Sequence, residues 1–109
     1  MAFDQSLAQR IRAELNKPPD LQEKKMFGGV AFLVQGNMAC GVHGQALIVR
    51  VGPQRYEEAL SQPYTKPFDL TGRPMSGWVM VTAQGYETES DLRSWVRKGV
   101  EFARSLPAK

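Results

Sequence analysis

The sequence predicts an α+β domain in which helices pack on an antiparallel sheet. Helical amphipathic periods stand at both ends of the chain, and three apolar runs with strand periodicity lie between them, separated by short glycine-containing breaks. The third observation is size: 109 residues, 42% hydrophobic and 23% charged, suit one globular domain over residues 1–109 with a single core.

In "FDQSLAQRIRAELN", Leu7, Ala8, Ile11 and Leu15 recur on one helical face, Asp4 is the N-cap, and Pro18-Pro19 is the stop. The runs "VAFLV", "NMACGV" and "ALIVRV" follow, broken by "QGN" and "HGQ". Breaks of that length and composition are hairpin turns, so the three strands form an antiparallel meander. In "GPQRYEEALSQP", Gly52 caps a second, short helix, Pro53 takes its first position, Tyr56, Ala59 and Leu60 share a face, and Pro63 ends it. "YTKPFDLTGRPMSG" reads as a loop in which "PFDL" has the makings of a brief edge strand. "WVMVT" is a strand. The closing segment "YETESDLRSWVRKGVEFARSLP" is a long helix: Thr88 and Asp91 have capping-box spacing, acids crowd its start, and Leu92, Trp95, Val96, Gly99, Ala103 and Leu106 line one side. "LQEKK", "RYEE" and "ESDLRSWVRKGVE" mix opposite charges and read as solvated faces.

The one cysteine and the one histidine of the chain, Cys40 and His43, are three positions apart on one strand. Strand side chains alternate, so Met38, Cys40 and Val42 face one way and Ala39, Gly41 and His43 the other, unless a bulge intervenes. An odd separation denies Cys40 a base, and a small core residue is the reading it supports. A zinc site lacks a second Cys or His. Phosphate-binding glycine loops and a nucleophile elbow are missing too, and Glu57 and Glu58 splay apart on their helix. No catalytic residue, cofactor or metal site is therefore expected.

The formal charge of +3, from 14 basic and 11 acidic residues, comes with alternating signs and a pI near 9.2. Phosphate binding needs concentrated Lys or Arg, so nucleic acid stays as the alternative partner and not the leading one. The start of the chain has no secretion-signal pattern, and its apolar runs are too short to span a bilayer, which points to the cytoplasm with no membrane association.

Three features suit an interaction surface. Gly28-Gly29, after Met26-Phe27, permits a bulge or the close approach of another backbone, or else a bend that admits a packed helix. Arg50, on the strand face of Ala46 and Ile48, either snorkels to water or meets an acidic partner or anion. Arg73, Met75 and Trp78 crowd a glycine-flanked turn, a composition shared by interfaces and by core rims. Moreover "VAFLV" and "ALIV" are apolar on both faces, so the two long helices cover one face and the third helix, or a second copy of the chain, is expected on the other.

Taken together, "KKMFGGVAFLVQGNMACGV", "ALIVRV", "PFDLTGRPMSGWVMV" and "DLRSWVRKGVEFARSL" resemble the N-terminal domain of the TfoX (Sxy) competence regulators over nearly the whole chain. The most specific parts are Met26-Phe27-Gly28-Gly29, then Arg73-Pro74-Met75 with Gly77-Trp78, then Leu92 and Trp95 of the closing helix. The resemblance implies the order α-β-β-β-α-β-β-α, which makes "PFDL" a strand, and it brings no catalytic residues with it. It also implies a place in switching on bacterial competence genes through other regulators, although the family's full regulators continue into a C-terminal domain that has no counterpart in this sequence. The expectation is a non-enzymatic regulatory domain that binds protein, a second copy included. Its candidate surface is Met26, Phe27, Gly28, Gly29, Arg50, Arg73, Met75 and Trp78. A small enzyme built on Cys40, or on a pocket near Arg50 and Trp78, is the remaining alternative.

Overall fold

Asp4 opens the first helix as its side chain dictates: Oδ1 accepts the Leu7 N–H at 3.1 Å, satisfying a donor with no partner inside the helix. Helix α1 (Gln5–Leu15) buries Leu7, Ala8 and Ile11 and ends at Asn16, whose left-handed backbone (φ 54°) returns its N–H to the Arg12 carbonyl. This computed structural model describes residues 4–16, 19–26, 29–69 and 75–108. Pro18 of the expected stop lies outside them.

Four strands follow: β1 (Leu21–Met26), β2 (Gly29–Val34), β3 (Asn37–His43) and β4 (Ala46–Arg50). A 3₁₀ turn, Pro53–Arg55, leads into α2 (Tyr56–Leu60); β5 (Thr65–Pro67), β6 (Trp78–Val81) and α3 (Glu89–Ser105) complete the order. The six strands lie in the order β1-β2-β3-β4-β6-β5, every neighbour antiparallel. The meander and both long helices stand where the sequence puts them. The "QGN" break is a tight hairpin with Gln35 and Gly36 both at positive φ, 54° and 84°, the geometry that matches strand twist.

Two strands differ from expectation. "LQEKKM" forms β1, paired along its length with β2, although its charges read as a solvated face. An edge strand needs main-chain bonds on one side only, and charged side chains suit an edge that is not to pair further. The short strand implied at "PFDL" lies at Thr65–Pro67 instead, because Phe68 leaves the ladder to turn into the core, where it is 2% exposed.

All three helices pack on one face, which we call the helix face. Leu7, Ile11, Leu92 and Val96 meet Val30, Phe32, Cys40, Val42, Leu47, Val49, Val79 and Val81 there, and Tyr56, Ala59 and Leu60 of α2 join the same cluster. On the far face Ala31, Leu33, Met38, Ile48 and Phe68 form a second core, with Ala46, Met75, Trp78 and Met80 half-buried against it. The expected third-helix cover is therefore absent from the far face. Phe68 and Met75, which flank β5 and β6 in sequence, lie there instead.

A bulge decides how α3 seats. Phe32 pairs with Cys40 but Leu33 pairs with Met38, which leaves Ala39 as the extra residue in β3. Ala39 and Cys40 both serve the helix face, while Met38 turns to the far face. This corrects the strict alternation that put Met38 beside Cys40. Helix α3 comes so close at this point that a Cβ on Gly99 would stand 2.3 Å from the Ala39 carbonyl oxygen. Its N-cap is Thr88, whose Oγ1 accepts the Asp91 N–H at 3.0 Å, and Leu92, Trp95, Val96, Gly99 and Ala103 are buried as the periodicity predicts.

Because the obstacle is backbone, Gly99→Ala forces the helix off the sheet. We expect it to lower unfolding free energy by about 1–3 kcal/mol, read as a shift of the urea midpoint, with Ser94→Ala on the exposed side as the neutral control.

Candidate interaction surface

Cys40 has no accessible surface, and burial alone pushes its thiol up to about 12, because a thiolate among apolar side chains is poorly solvated. It faces the helices. His43 ends the same strand on the far face, its ring edge-on to Phe68 with centroids 6.3 Å apart. The sheet thus separates thiol and imidazole. The bulge at Ala39 precedes Cys40 and leaves the parity between Cys40 and His43 intact.

At the other end of β4 the last residue, Arg50, stands opposite Trp78 in the β4–β6 register. Its guanidinium carbon is 5.2 Å from the Trp78 ring centroid and 5.2 Å from that of Phe102 in α3, within cation–π range on both sides. Among the described residues Arg50 makes no hydrogen bond or ion pair. The loop next to it is rigidly placed: the Gly77 carbonyl accepts the N–H groups of both Val51 and Gly52, at 2.8 and 3.0 Å, and Gly52, at φ +88°, lays its Cα against the edge of Phe102. Phe102 also walls an open cleft of about 500 Å³ shared with Val51, Gly52, Pro53, Arg55, Glu101 and Leu106. Arg55 spans that cleft's rim to Glu101 at 3.3 Å.

On the far face, Met75 donates its N–H to the Phe68 carbonyl and accepts the Trp78 N–H, both at 3.0 Å. Those bonds bring Met75 and Trp78 onto the half-buried patch that holds Met80. Arg50, Met75 and Trp78 are thus gathered at one end of the sheet. Gly29 lies at the opposite end, where its Cα is pressed on the Val42 carbonyl, so that a Cβ would come 1.8 Å from the oxygen. The close-approach reading of this glycine holds, and Met26 is its partner across the β1–β2 register. Phe27, Gly28 and Arg73 lie outside the described residues. Sequence reasoning missed Phe102, 52 positions from Arg50, which carries no local signal of that contact.

The remaining arginines of the helices are mostly paired. Arg10 meets Glu89 at 2.9 Å, Arg93 meets Glu14 at 3.0 Å, Arg104 meets Asp20 at 2.6 Å, and Arg12 forks onto Glu23. Arg104 holds the Asp20 carboxyl below its usual range, and Glu23 raises the Arg12 guanidinium. Opposite charges therefore alternate across the surface. Among the described residues no group of three His, Cys, Asp or Glu gathers in metal-binding geometry, and no helix is long and apolar enough to cross a membrane.

A family model, the TfoX N-terminal domain, matches residues 13–103. The chain belongs to the TfoX N-terminal domain family. No curated protein and no solved structure matches it. In this TfoX N-terminal domain the blocks that carried the resemblance have separate tasks: Met26 and Gly29 close the β1–β2 hairpin, Gly77 and Trp78 start β6 beside Arg50, and Leu92 and Trp95 seat α3.

The buried thiol sets a pH test. Above pH 9.0 the unfolded chain gives up the Cys40 proton, while the folded chain keeps it until about 12. Unfolding then releases a proton, and stability falls as pH rises through that window. Relative to Cys40→Ala, the native chain is expected to lose about 1.4 kcal/mol per pH unit there, measured by urea unfolding at stepped pH. At pH 8 a thiol reagent should label native Cys40 only as fast as the chain opens.

Proposed function

We propose that this domain is a non-enzymatic regulatory module that works by binding protein, and that its contact surface is the far face around Arg50, Met75, Trp78 and Met80. One observation carries the reading. The helices all serve one face of a sheet that is apolar on both, and Trp78, Met75 and Met80 remain half-buried on the other. Tryptophan, methionine and arginine are the residues enriched where proteins meet, and methionine adapts its shape to a partner at small cost. The separation of Cys40 from His43 supports a role without covalent chemistry. Membership of the family supports bacterial gene control of the competence type, exerted in the cytoplasm through another regulator. Arg10, Arg12, Arg93 and Arg104 of α1 and α3 are each engaged by an acid, which supports a protein over a nucleic-acid partner.

A photoreactive amino acid in place of Met80 is expected to form a discrete crosslinked species in bacterial cells, and the same substitution at the exposed Gln9 of α1 none. Adding Trp78→Ala should weaken that crosslink about tenfold, in line with aromatic anchors dominating interfaces, with the circular dichroism melt retained. Light scattering separates the partners: a mass of twice 12.2 kDa assigns the surface to a second copy. No crosslink at Met80, or binding to duplex DNA that steepens as salt is lowered, overturns the reading.

A further inference from the structure

We infer that Arg50 is the recognition point for a side-chain carboxylate on an acidic peptide segment of the protein partner; the inference rests on the contact surface proposed above and names the chemistry it selects. The guanidinium is held at 5.2 Å from the rings of both Trp78 and Phe102. With two aromatic rings within cation–π range of its carbon, the guanidinium still offers its N–H donors for hydrogen bonds, and their planar fork matches the two oxygens of a carboxylate. No described residue fills it, although Arg10, Arg12, Arg55, Arg93 and Arg104 all have acids. The stack also fixes the rotamers in advance, so little side-chain freedom is left to lose on binding.

The surroundings discriminate among anions. Among the described residues that line the neighbouring cleft, the one cation, Arg55, is engaged by Glu101, whose carboxylate lies on the same rim. A doubly charged phosphate calls for more positive charge than the single guanidinium of Arg50 offers, whereas a singly charged carboxylate matches it. The apolar surface on either side argues for a peptide. The Trp78 and Met80 patch lies on one side of Arg50, and the Phe102-walled cleft with Val51 and Leu106 on the other. A segment in which an acidic residue stands between apolar ones meets all three.

The test uses the full chain and a blocked hexapeptide of alternating glutamate and leucine, with the glutamine–leucine isostere and inorganic phosphate as separate arms. Nitrogen–proton NMR follows the Arg50 Nε–H and the Trp78 indole N–H. The glutamate peptide is expected to move both signals and to bind at least about tenfold more tightly than its isostere. Arg50→Lys, which keeps the charge but not the stacked fork, should lose about tenfold, and Arg50→Gln more, with melting curves checked for each. Equal binding of peptide and isostere, undiminished binding to Arg50→Lys, or unmoved Arg50 signals overturns the inference. So does inorganic phosphate if it moves the Arg50 signal at the same concentration as the peptide. If the isostere binds equally and still moves Trp78, the contact surface stands and the carboxylate role falls; if neither peptide moves Trp78, both fall.

Discussion

Strands β2, β3 and β4 are buried on both sides. Val30, Phe32, Cys40, Val42, Leu47 and Val49 face the helices, and Ala31, Leu33, Met38 and Ile48 face away from them. A sheet of that kind is stable only when each face has a cover. The helices cannot divide the work, because the bulge at Ala39 and the bare Cα of Gly99 draw α3 hard against β3, and α1 is tied to α3 by Arg10–Glu89 and Arg93–Glu14. The far face is left to residues from outside the helices. Phe68 is its anchor, and the Met75–Phe68 and Trp78–Met75 main-chain bonds fold the returning chain back toward the sheet. Trp78, Met75 and Met80 are left half-buried beside Phe68.

The same asymmetry explains what the sequence could and could not disclose. Caps, hairpin turns and the faces of α1 and α3 were legible because each is settled within a few residues: Asp4 with Leu7, Thr88 with Asp91, Gln35 with Gly36. Strand β1 was not, since "LQEKKM" lacks alternating apolar residues and owes its existence to main-chain pairing with β2, which periodicity does not report. The shift of β5 from "PFDL" to Thr65–Pro67 has a similar origin: Phe68 gains more from burial in the far-face core than from a place in a three-residue edge strand. The bulge at Ala39 is invisible locally, because a small residue there looks the same whether the strand is regular or not.

Of the candidate surface, the far-face pairing of Met75 with Trp78 followed from their crowding in one turn, and Arg50 drew notice as a charge on an apolar strand face. Their meeting did not follow. It depends on the β4–β6 register, which places Arg50 opposite Trp78, and on α3 ending where Phe102 reaches over the strand. Gly29 answered to the second meaning of its residue type, a backbone pressed on another backbone, at the far end of the sheet from Arg50. Residues that look like one surface in one dimension are thus divided between two ends of the fold.

Charge completes the argument. An excess of +3 spread over a surface of alternating ion pairs exerts little directed field, since each exposed pair is nearly neutral beyond a Debye length of about 8–10 Å. Long-range attraction to a polyanion is correspondingly weak. A cation withdrawn from that pattern and held near two aromatic rings acts differently: its reach is short, and its weak hydration makes exchange of water for a carboxylate less costly than at a lysine. In the proposed complex Arg50 would contribute selectivity at contact and not attraction at a distance. The half-buried apolar patch of Met75, Trp78 and Met80 would supply the area, and the single guanidinium the register.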